Sequence, residues 1–537
     1  MLDLEGPPPK VQKTTPRYDE LLAPSTSKDN EASFNRAPGS YVNLDERFRT
    51  AKRTYDRQYA QLYFSRLMLL KDVMRKRVAQ AWRGVPVCSI LEVQESKEVA
   101  VIGTIYKNMK LKPSILDEYT KDRGLKAALG AANFCSDDDS VVLEDDGARM
   151  VLSVPAPGEA AGRGGGLGGG DGPLNVQELV TGLVLAVRGV AEPGGDFVVR
   201  EVCFPGMAPN PHPLPGLPGL QGAREAAAAS AAASAAAAAA GAAPGDKYLA
   251  FASGFCLGGS KADMLKTQLA VEFLTGNLGS PDEQQLSSQI VRLVVAGGCI
   301  GQLEALAGGA SSGAGLGSSN PYGRQSAAAQ GAALQPVRDL DLLLAEVAAG
   351  LPVDVMPGPE DPANVALPQQ PMHRCLFPAS GLHGSLVRAT NPHEFETEGV
   401  RLLGSSGQNV DDMAKYCSLR DRLDILERCL SGRHVAPTAP DTLTCYPFHD
   451  KDPFILDSTP HVYFVGNQPE FATRLIEAPG AGGAGAGGGG SESSSAPTGA
   501  VVRLIGVPSF ARTGTIVLLN LRTLACHPVR FDGSLGL

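Results

Sequence analysis

Apolar side chains near the N-terminus recur at steps of mostly three and four residues, with Lys and Arg residues between them. The positions that follow this spacing are Phe48, Ala51, Tyr55, Tyr59, Leu62, Leu67, Leu70 and Met74. Because this spacing brings side chains to one face of an α-helix, the sequence predicts an amphipathic helical segment over residues 41–85, as one helix or two in succession. Residues 1–40 are polar and Pro-rich, which predicts a disordered N-terminus.

Residues 86–208 change to short apolar runs bounded by turn residues, a pattern typical of β-strands. The predicted strands cover residues 99–106, a hairpin at 140–152 that turns at Asp146-Gly147, residues 180–188 and residues 197–203. About five short strands with one helical stretch between them indicate a small closed β-barrel of the OB type.

After Asp246 the apolar runs alternate between strand and helix lengths, and glycines follow several of the strands. Strands are predicted at residues 248–252, 290–296, 353–356, 400–403, 461–465, 501–507 and 514–521, and helices at 262–276, 340–349 and 419–430. This alternation is typical of an α/β domain whose loops carry the functional site. We therefore predict one α/β domain over residues 246–537.

Four stretches consist almost entirely of Gly, Ala, Ser and Pro: residues 155–173, 222–245, 307–335 and 478–499. Such segments bury too little apolar surface to offset the loss of chain entropy on ordering. We interpret residues 209–245 as a linker between the two predicted domains. The stretches at 307–335 and 478–499 are interpreted as insertions in the second domain.

Charge and cysteine content narrow the class of protein. The net charge of −9 argues against a basic nucleic-acid-binding surface. Ten cysteines are scattered without a C-x-x-C pair, which indicates reduced thiols inside the cell. The N-terminus lacks the apolar core of a signal peptide, and no apolar run is long enough to span a bilayer, so no membrane association is expected.

Local charge does not decide whether residues 41–85 or the barrel segment bind DNA. Residues 41–85 contain eleven Lys and Arg against four Asp and Glu. This excess fits a DNA-binding arm, but a solvated helix face that covers a neighbouring domain is the favoured interpretation. The barrel segment contains eleven basic against eighteen acidic residues. Single-stranded DNA binding by the barrel is therefore the alternative function and not the first expectation.

Four loops after the predicted strands contain glycine. They read Ser253-Gly254-Phe255, Gly297-Gly298, Gly358-Pro359-Glu360-Asp361 and Gly466-Asn467-Gln468-Pro469. In order and spacing they are similar to the loops of the calcineurin-like phosphoesterases, whose carboxylates and imidazoles hold two metal ions. The glycines are present and the ligands are missing. Glu360, Asp361 and His434 are the remaining candidates, too few for a two-metal centre. We expect no catalytic, cofactor-binding or metal-binding residues, with a phosphoesterase that uses altered ligands as an alternative.

Both predicted domains contain several long and unusual sequence strings. In the barrel these are Cys88-Ser-Ile-Leu-Glu92, Pro113-Ser-Ile-Leu116, Val141-Val-Leu-Glu-Asp145 and Leu179-Val-Thr-Gly182. In the second domain they include Val353-Asp-Val-Met-Pro-Gly358, Leu367-Pro-Gln-Gln-Pro371, Gly404-Ser-Ser-Gly-Gln-Asn409, Cys445-Tyr-Pro-Phe448 and His461-Val-Tyr-Phe-Val-Gly-Asn467. These strings resemble the second (B) subunits of DNA polymerase delta. The resemblance extends from about Tyr41 to Gly533, interrupted by the low-complexity insertions.

The resemblance implies an OB barrel docked on an inactive phosphoesterase domain, in a scaffold subunit for DNA replication and repair synthesis. The implied partners are the C-terminal region of the polymerase delta catalytic subunit and a third subunit. DNA and the sliding clamp would be reached only indirectly, and the location would be the nucleus. Tyr446, Phe448 and Phe454 are candidate partner-binding residues, since aromatic side chains are enriched in interfaces. Burial within their own domain is the other interpretation of these three aromatics.

Overall fold

The computed structural model describes residues 34–50, 54, 56, 58–113, 133–154, 172–210, 214, 245–301, 327–477 and 501–532. Most of the predicted N-terminal disorder, the 209–245 linker and the low-complexity stretches lie outside these residues. One exception is informative, because a helix begins at Ala327, inside the stretch interpreted as an insertion.

The N-terminal segment has three elements in sequence. Strand β1 covers Val42–Asn43, a 3-10 turn covers Asp45–Phe48, and helix α1 covers Ala60–Ala81. The predicted amphipathic helix is therefore present from Ala60 onward, and its apolar face is buried. Phe48 is also buried, but in the 3-10 turn that precedes the helix.

The predicted barrel is confirmed. Its strands are β2 (Val87–Cys88), β3 (Glu98–Asn108), β4 (Ser140–Glu144), β5 (Arg149–Ser153), β6 (Val184–Ala191) and β7 (Phe197–Cys203). Within the described residues they form a sheet in the order β2-β3-β4-β5-β7-β6, which closes because β3 also pairs with β6. Helix α1 packs on the outside of this barrel, where Leu70 and Met74 join Ala100, Ile102 and Val184 in one apolar cluster. The helix thus covers a neighbouring domain.

The second domain is a sandwich of two sheets with helices outside. Its strands are β8 (Tyr248–Ala252), β9 (Ile290–Ala296), β10 (Val353–Met356), β11 (Leu386–Arg388), β12 (His393–Thr397), β13 (Val400–Ser405), β14 (Val462–Gln468), β15 (Ala472–Glu477), β16 (Val501–Pro508), β17 (Thr515–Asn520) and β18 (Cys526–Arg530). Its helices are α2 (Met264–Thr275), α3 (Pro281–Ser288), α4 (Ala327–Ala348), α5 (Gln408–Tyr416), α6 (Arg422–Ser431) and the short α7 (Phe510–Thr513).

Among the described residues, one sheet of the sandwich runs β11-β10-β9-β8-β17-β18, and the other runs β1-β12-β13-β14-β16-β15. Strand alternation sends one set of side chains into the space between the sheets, where the rings of Phe251 and Phe464 lie 4.9 Å apart. The opposite set, which includes Ala250 and Val295, packs under α2 and α4.

The barrel and the sandwich share a single apolar core. Barrel residues such as Ile105 and Leu143 belong to the same buried cluster as Met413 of α5 and Leu426 of α6. A continuous core of this kind makes the two domains one mechanical unit. The sequence did not predict several of the shorter elements, because their patterns are brief and polar. These elements are the strands β11, β12, β15 and β18 and the helices α3 and α5.

Candidate functional site: closed strand-end loops and a buried domain junction

The glycine-containing loops after the sandwich strands pack directly on one another. A Cβ atom added to Gly298 would lie 2.3 Å from Asn467 Oδ1 and 3.0 Å from the Cα atom of Gly254. One added to Gly297 would lie 2.5 Å from the Cβ atom of Ser406. Gly254, Gly297 and Gly298 also have positive φ angles, which side chains rarely tolerate. The glycines therefore allow loops that would surround a metal pair to close on each other.

Asn467 connects three of these loops through hydrogen bonds. Its Nδ2 atom donates to the carbonyl oxygens of Ser406 at 2.7 Å and Ala296 at 3.2 Å. Its backbone N–H donates to Ser253 Oγ at 2.8 Å. The side-chain amide and the backbone N–H of Asn467 therefore tie together the loops that follow β8, β9 and β13.

Asp361 is the one carboxylate that the described loops bring into the cluster, and backbone N–H groups surround it. Oδ2 accepts from Gly298 at 2.9 Å, Cys299 at 3.2 Å and Gly358 at 2.8 Å, and Oδ1 accepts from Ile300 at 2.8 Å. Burial raises the pKa of this carboxyl group, and the four donors oppose that rise. Both carboxylate oxygens accept hydrogen bonds from the backbone, so Asp361 holds the loops together.

The structure does not bring the three candidate ligands together. Glu360 is exposed. His434 is buried elsewhere, with Nε2 at 2.9 Å from Asp452 and Nδ1 accepting the N–H of Ala436 at 3.2 Å, so both ring nitrogens are engaged. In the described part of the chain, no group of three or more His, Cys, Asp or Glu side chains could hold a metal ion.

Neutral side chains complete the loop cluster. Asn391 Nδ2 donates to Gln369 Oε1 at 2.8 Å and to Gln408 Oε1 at 3.0 Å. Gln408 Nε2 donates to the same Gln369 oxygen at 2.9 Å, and Gln369 Nε2 donates to the carbonyl oxygen of Gly358 at 3.0 Å. Because amides supply both donors and acceptors, this network holds the loops without any charge for a cation to neutralise.

A buried ion cluster joins helix α1, the barrel and the sandwich. Arg66 Nε lies 2.9 Å from Asp452 Oδ2, and both side chains are fully buried. The other guanidinium nitrogens donate to the carbonyl oxygens of Gly182 at 3.0 Å, Pro437 at 2.8 Å and Ala439 at 2.7 Å. One side chain of α1 therefore bonds simultaneously to the barrel and to the sandwich.

The pKa values of His434 and Asp452 in this junction are both lowered. Burial and the nearby Arg66 guanidinium lower the pKa of His434 to about 4, so its imidazole is neutral at pH 7. The His434 ring and the Arg66 guanidinium outweigh the burial of Asp452 and hold its pKa well below the ordinary range. At pH 7 the junction therefore contains an arginine–carboxylate pair with a neutral histidine beside it.

A second buried cluster fixes the N-terminal segment to the sandwich. His393 Nδ1 lies 2.7 Å from Asp45 Oδ1, and its Nε2 lies 3.4 Å from Asp354 Oδ2. Burial opposes protonation of this ring, but the two carboxylates raise the pKa of His393 to about 9. Arg292 also pairs with Asp354 and lies 3.6 Å from the ring centre of Tyr41.

The three aromatic partner-binding candidates lie in one region, with different exposure. Phe454 and Phe448 are buried, whereas Tyr446 is half-buried. The rings of Tyr446 and Phe448 meet edge to face at 4.9 Å, and the Tyr446 hydroxyl accepts the N–H of Thr54 at 2.9 Å. Binding of a partner at these residues stays a prediction, in which the two phenylalanines would support the loop from beneath.

Sequence reasoning missed the junction residues Arg66 and Asp452. A signal existed for Arg66, because it lies four residues from both Leu62 and Leu70 on the apolar face of α1. A charged residue on a buried helix face requires a partner, but the sequence does not show which residue that partner is.

No helix in the described part of the chain is both long and apolar enough to cross a membrane.

Comparisons with known proteins agree with this geometry. Residues 249–473 match the B-subunit family of DNA polymerases alpha and epsilon, and residues 58–202 match the DNA polymerase delta subunit OB-fold domain. The chain is 38% identical over 506 residues to the DNA polymerase delta small subunit of Arabidopsis thaliana, covering 94% of this chain and 98% of the relative. It is 32% identical to DNA polymerase delta subunit 2 of Drosophila melanogaster, covering 93% of this chain and 99% of the relative.

Proposed function

Since this chain belongs to the DNA polymerase delta small subunit family, and is an accessory subunit of the polymerase delta complex, we propose that it acts there as a non-catalytic scaffold. In this role it holds the C-terminal region of the catalytic subunit and recruits a third subunit. DNA and the sliding clamp are reached through those partners, in the nucleus.

The observation that carries the proposal is the closure of the strand-end loops. A Cβ atom on Gly297 or Gly298 would overlap Ser406 or Asn467, and backbone N–H groups surround Asp361. A two-metal phosphoesterase needs several anionic or imidazole ligands and an open position for the phosphate. The loop cluster of this chain offers a rigid surface in place of that chemistry, which supports an inactive phosphoesterase domain.

The continuous core supports the scaffold role as well. The barrel and sandwich share one apolar cluster, and Arg66 bonds across both domains. A subunit whose domains share one core can present a surface of each domain to a partner in a defined arrangement. Partners bound to those surfaces gain effective concentration at one primer end.

Reconstitution tests the scaffold proposal. The full chain is co-expressed with the catalytic subunit and the third subunit, and the complexes are resolved by size exclusion with mass determination. We expect a stable one-to-one complex with the catalytic subunit's C-terminal region and addition of the third subunit to it. A well-folded chain that remains monomeric with both partners would overturn the proposal.

The Tyr446 loop is tested in the same complexes. We expect Tyr446→Ala to weaken binding of one partner about tenfold, as at an interface hot spot. Leu382→Ala serves as the matched control, because Leu382 is 84% exposed in the separate 3-10 helix Ser380–Leu382. Equal binding by wild type and Tyr446→Ala would remove this loop from the interface.

Phosphoesterase activity is tested separately with a chromogenic phosphodiester and Mn²⁺. We expect no turnover above buffer. Turnover that disappears in Glu360→Gln, a substitution at an exposed position, would show that altered ligands support catalysis.

A further inference from the structure

The outer face of helix α1 carries three exposed apolar side chains in its first half. Phe64 and Met68 lie four residues apart, so they are neighbours on one side of the helix, and Leu69 follows Met68 directly. The exposed fractions are 47% for Phe64, 62% for Met68 and 53% for Leu69. The opposite face, with Leu70 and Met74, fills the contact with the barrel. The barrel therefore does not need these three side chains, and adjacent exposed apolar groups mark interaction surfaces.

The second half of the same face is basic. Arg75, Lys76 and Arg83 are exposed, and their spacing from Met68 returns them to the outer side of the helix. Arg75 pairs at the surface with Asp72. Within the described residues, Lys76 and Arg83 form no ion pair. The outer face thus joins an apolar half to a basic half, and we call it the α1 face: Phe64, Met68, Leu69, Arg75, Lys76 and Arg83.

Acidic side chains of the neighbouring strands do not neutralise the basic half. Asp146 of the β4–β5 hairpin pairs with Lys71, at 3.3 Å. Glu201 of β7 accepts the Nε1–H of Trp82 and pairs with Arg188 at 3.0 Å. Each of these acids is therefore engaged by another group. The positive charge left on the α1 face attracts carboxylates and repels basic segments.

The size of the α1 face sets what can bind there. At 1.5 Å per residue, the helix from Phe64 to Arg83 is about 28 Å long, and a helix with its side chains is about 10 Å wide. That area is about a third of the 800 Å² or so that each partner contributes to a standard interface. The α1 face therefore suits one segment of a partner that also binds elsewhere on this chain.

The apolar half indicates which partner this is. Interfaces between permanently associated subunits are more apolar than those of transient complexes. Exposed Phe64, Met68 and Leu69 therefore favour a partner that stays bound. Of the two partners proposed above, the catalytic subunit is the one that the scaffold holds, and the third subunit is recruited to that pair.

We propose that the α1 face docks an amphipathic segment of the polymerase delta catalytic subunit, with apolar residues at one end and Asp or Glu residues at the other. This inference rests on the scaffold function proposed above and assigns one of its surfaces. The apolar end covers Phe64, Met68 and Leu69, and the acidic end meets Lys76 and Arg83. Apolar contact supplies most of the affinity, and the charges fix the direction of the segment along the helix.

The test titrates the full-length catalytic subunit, and separately the third subunit, with the full chain. Met68→Gln/Leu69→Gln, the apolar variant, removes exposed apolar surface while glutamine keeps a high helix propensity. Lys76→Glu/Arg83→Glu, the charge variant, reverses the two unpaired cations. The matched controls are Leu342→Gln and Arg338→Glu, both at exposed positions of α4. Thermal unfolding of each free variant verifies that it is folded, and the charge variant decides alone if the apolar variant does not fold.

We expect the apolar variant to lose at least tenfold in affinity for the catalytic subunit at every salt concentration. The charge variant should lose about tenfold at low salt but only about twofold at about 0.5 M salt, because salt screens exposed charges. Both controls should bind as wild type, and every variant should bind the third subunit within twofold of wild type.

Binding of the catalytic subunit within twofold of wild type by either folded variant at low salt would overturn the inference, although the scaffold function would stand. A selective loss of the third subunit would assign the α1 face to that subunit and overturn the inference as well. Failure of the wild-type chain to bind either subunit would overturn both the inference and the scaffold function.

Two further outcomes assign the α1 face to another occupant and also overturn the inference. The first is self-association of the wild-type chain in analytical ultracentrifugation that the apolar variant abolishes. The second is binding of a labelled single-stranded oligonucleotide at low salt that the charge variant abolishes.

Discussion

Removing the buried guanidinium of Arg66 should weaken the junction between helix α1, the barrel and the sandwich. The Arg66→Met substitution keeps a long apolar stem but leaves Asp452 with His434 as its only remaining side-chain partner among the contacts described above. It also strips a donor from the carbonyl oxygens of Gly182, Pro437 and Ala439. Breaking a buried ion pair costs about 3–5 kcal/mol, whereas an exposed pair contributes about 0–1 kcal/mol. We therefore expect a loss of at least about 3 kcal/mol in the free energy of unfolding.

Trp82 provides the assay, because it is the single tryptophan of the chain and lies at the helix–barrel contact. It is buried, and its Nε1 donates to Glu201 at 2.7 Å. In urea, the fluorescence and circular dichroism transitions of the wild type should coincide. In Arg66→Met the fluorescence transition should move to lower urea and separate from the other.

Arg75→Met is the matched control for this prediction. Arg75 lies on the same helix, is 58% exposed and pairs only at the surface, with Asp72. Its replacement should change stability by no more than about 0.5 kcal/mol. A loss below about 1 kcal/mol in Arg66→Met, or a shift equal to that of the control, would refute the reasoning that this cluster joins the domains.

Stability should also depend on pH in two windows. The pKa of His393 is raised to about 9, so its contribution, about 3 kcal/mol, is complete below pH 6.5 and is lost as pH rises toward 9. The pKa of His434 is lowered to about 4, so stability falls as pH drops from 6.5 toward 4. Urea midpoints measured from pH 4 to 9.5 should peak near neutrality, and His393→Gln should flatten the alkaline side; an unchanged alkaline slope would contradict the assignment. Finally, Asp361→Asn should lower the free energy of unfolding by about 1–3 kcal/mol, because an NH₂ group would face a backbone N–H donor. Glu360→Gln should leave the urea midpoint unchanged. Equal midpoints for the two variants would show that Asp361 does not stabilise the loops.

Local patterns predicted the elements whose burial repeats regularly. The strands at 290–296 and 353–356 match the predicted limits, because every residue in them is buried and the apolar runs end at a Gly or Pro. Strands β12 and β15 were missed because neither contains an apolar run longer than two residues. Their charged residues Glu394 and Arg474 pair with residues such as Arg47 and Asp424, which lie elsewhere in the chain.

The sequence by itself determined the two-domain order, the barrel, the α/β alternation and the residue types at the strand ends. Each of these is recorded in the periodicity or in the residue type at one position. The tertiary structure alone decided how the strand-end loops close on each other and how the domains are joined. Val42 pairs with Glu396, and Arg66 meets Asp452. Contacts between residues so far apart in the chain leave no local pattern, because their energy depends on burial and geometry that exist only after the chain has folded.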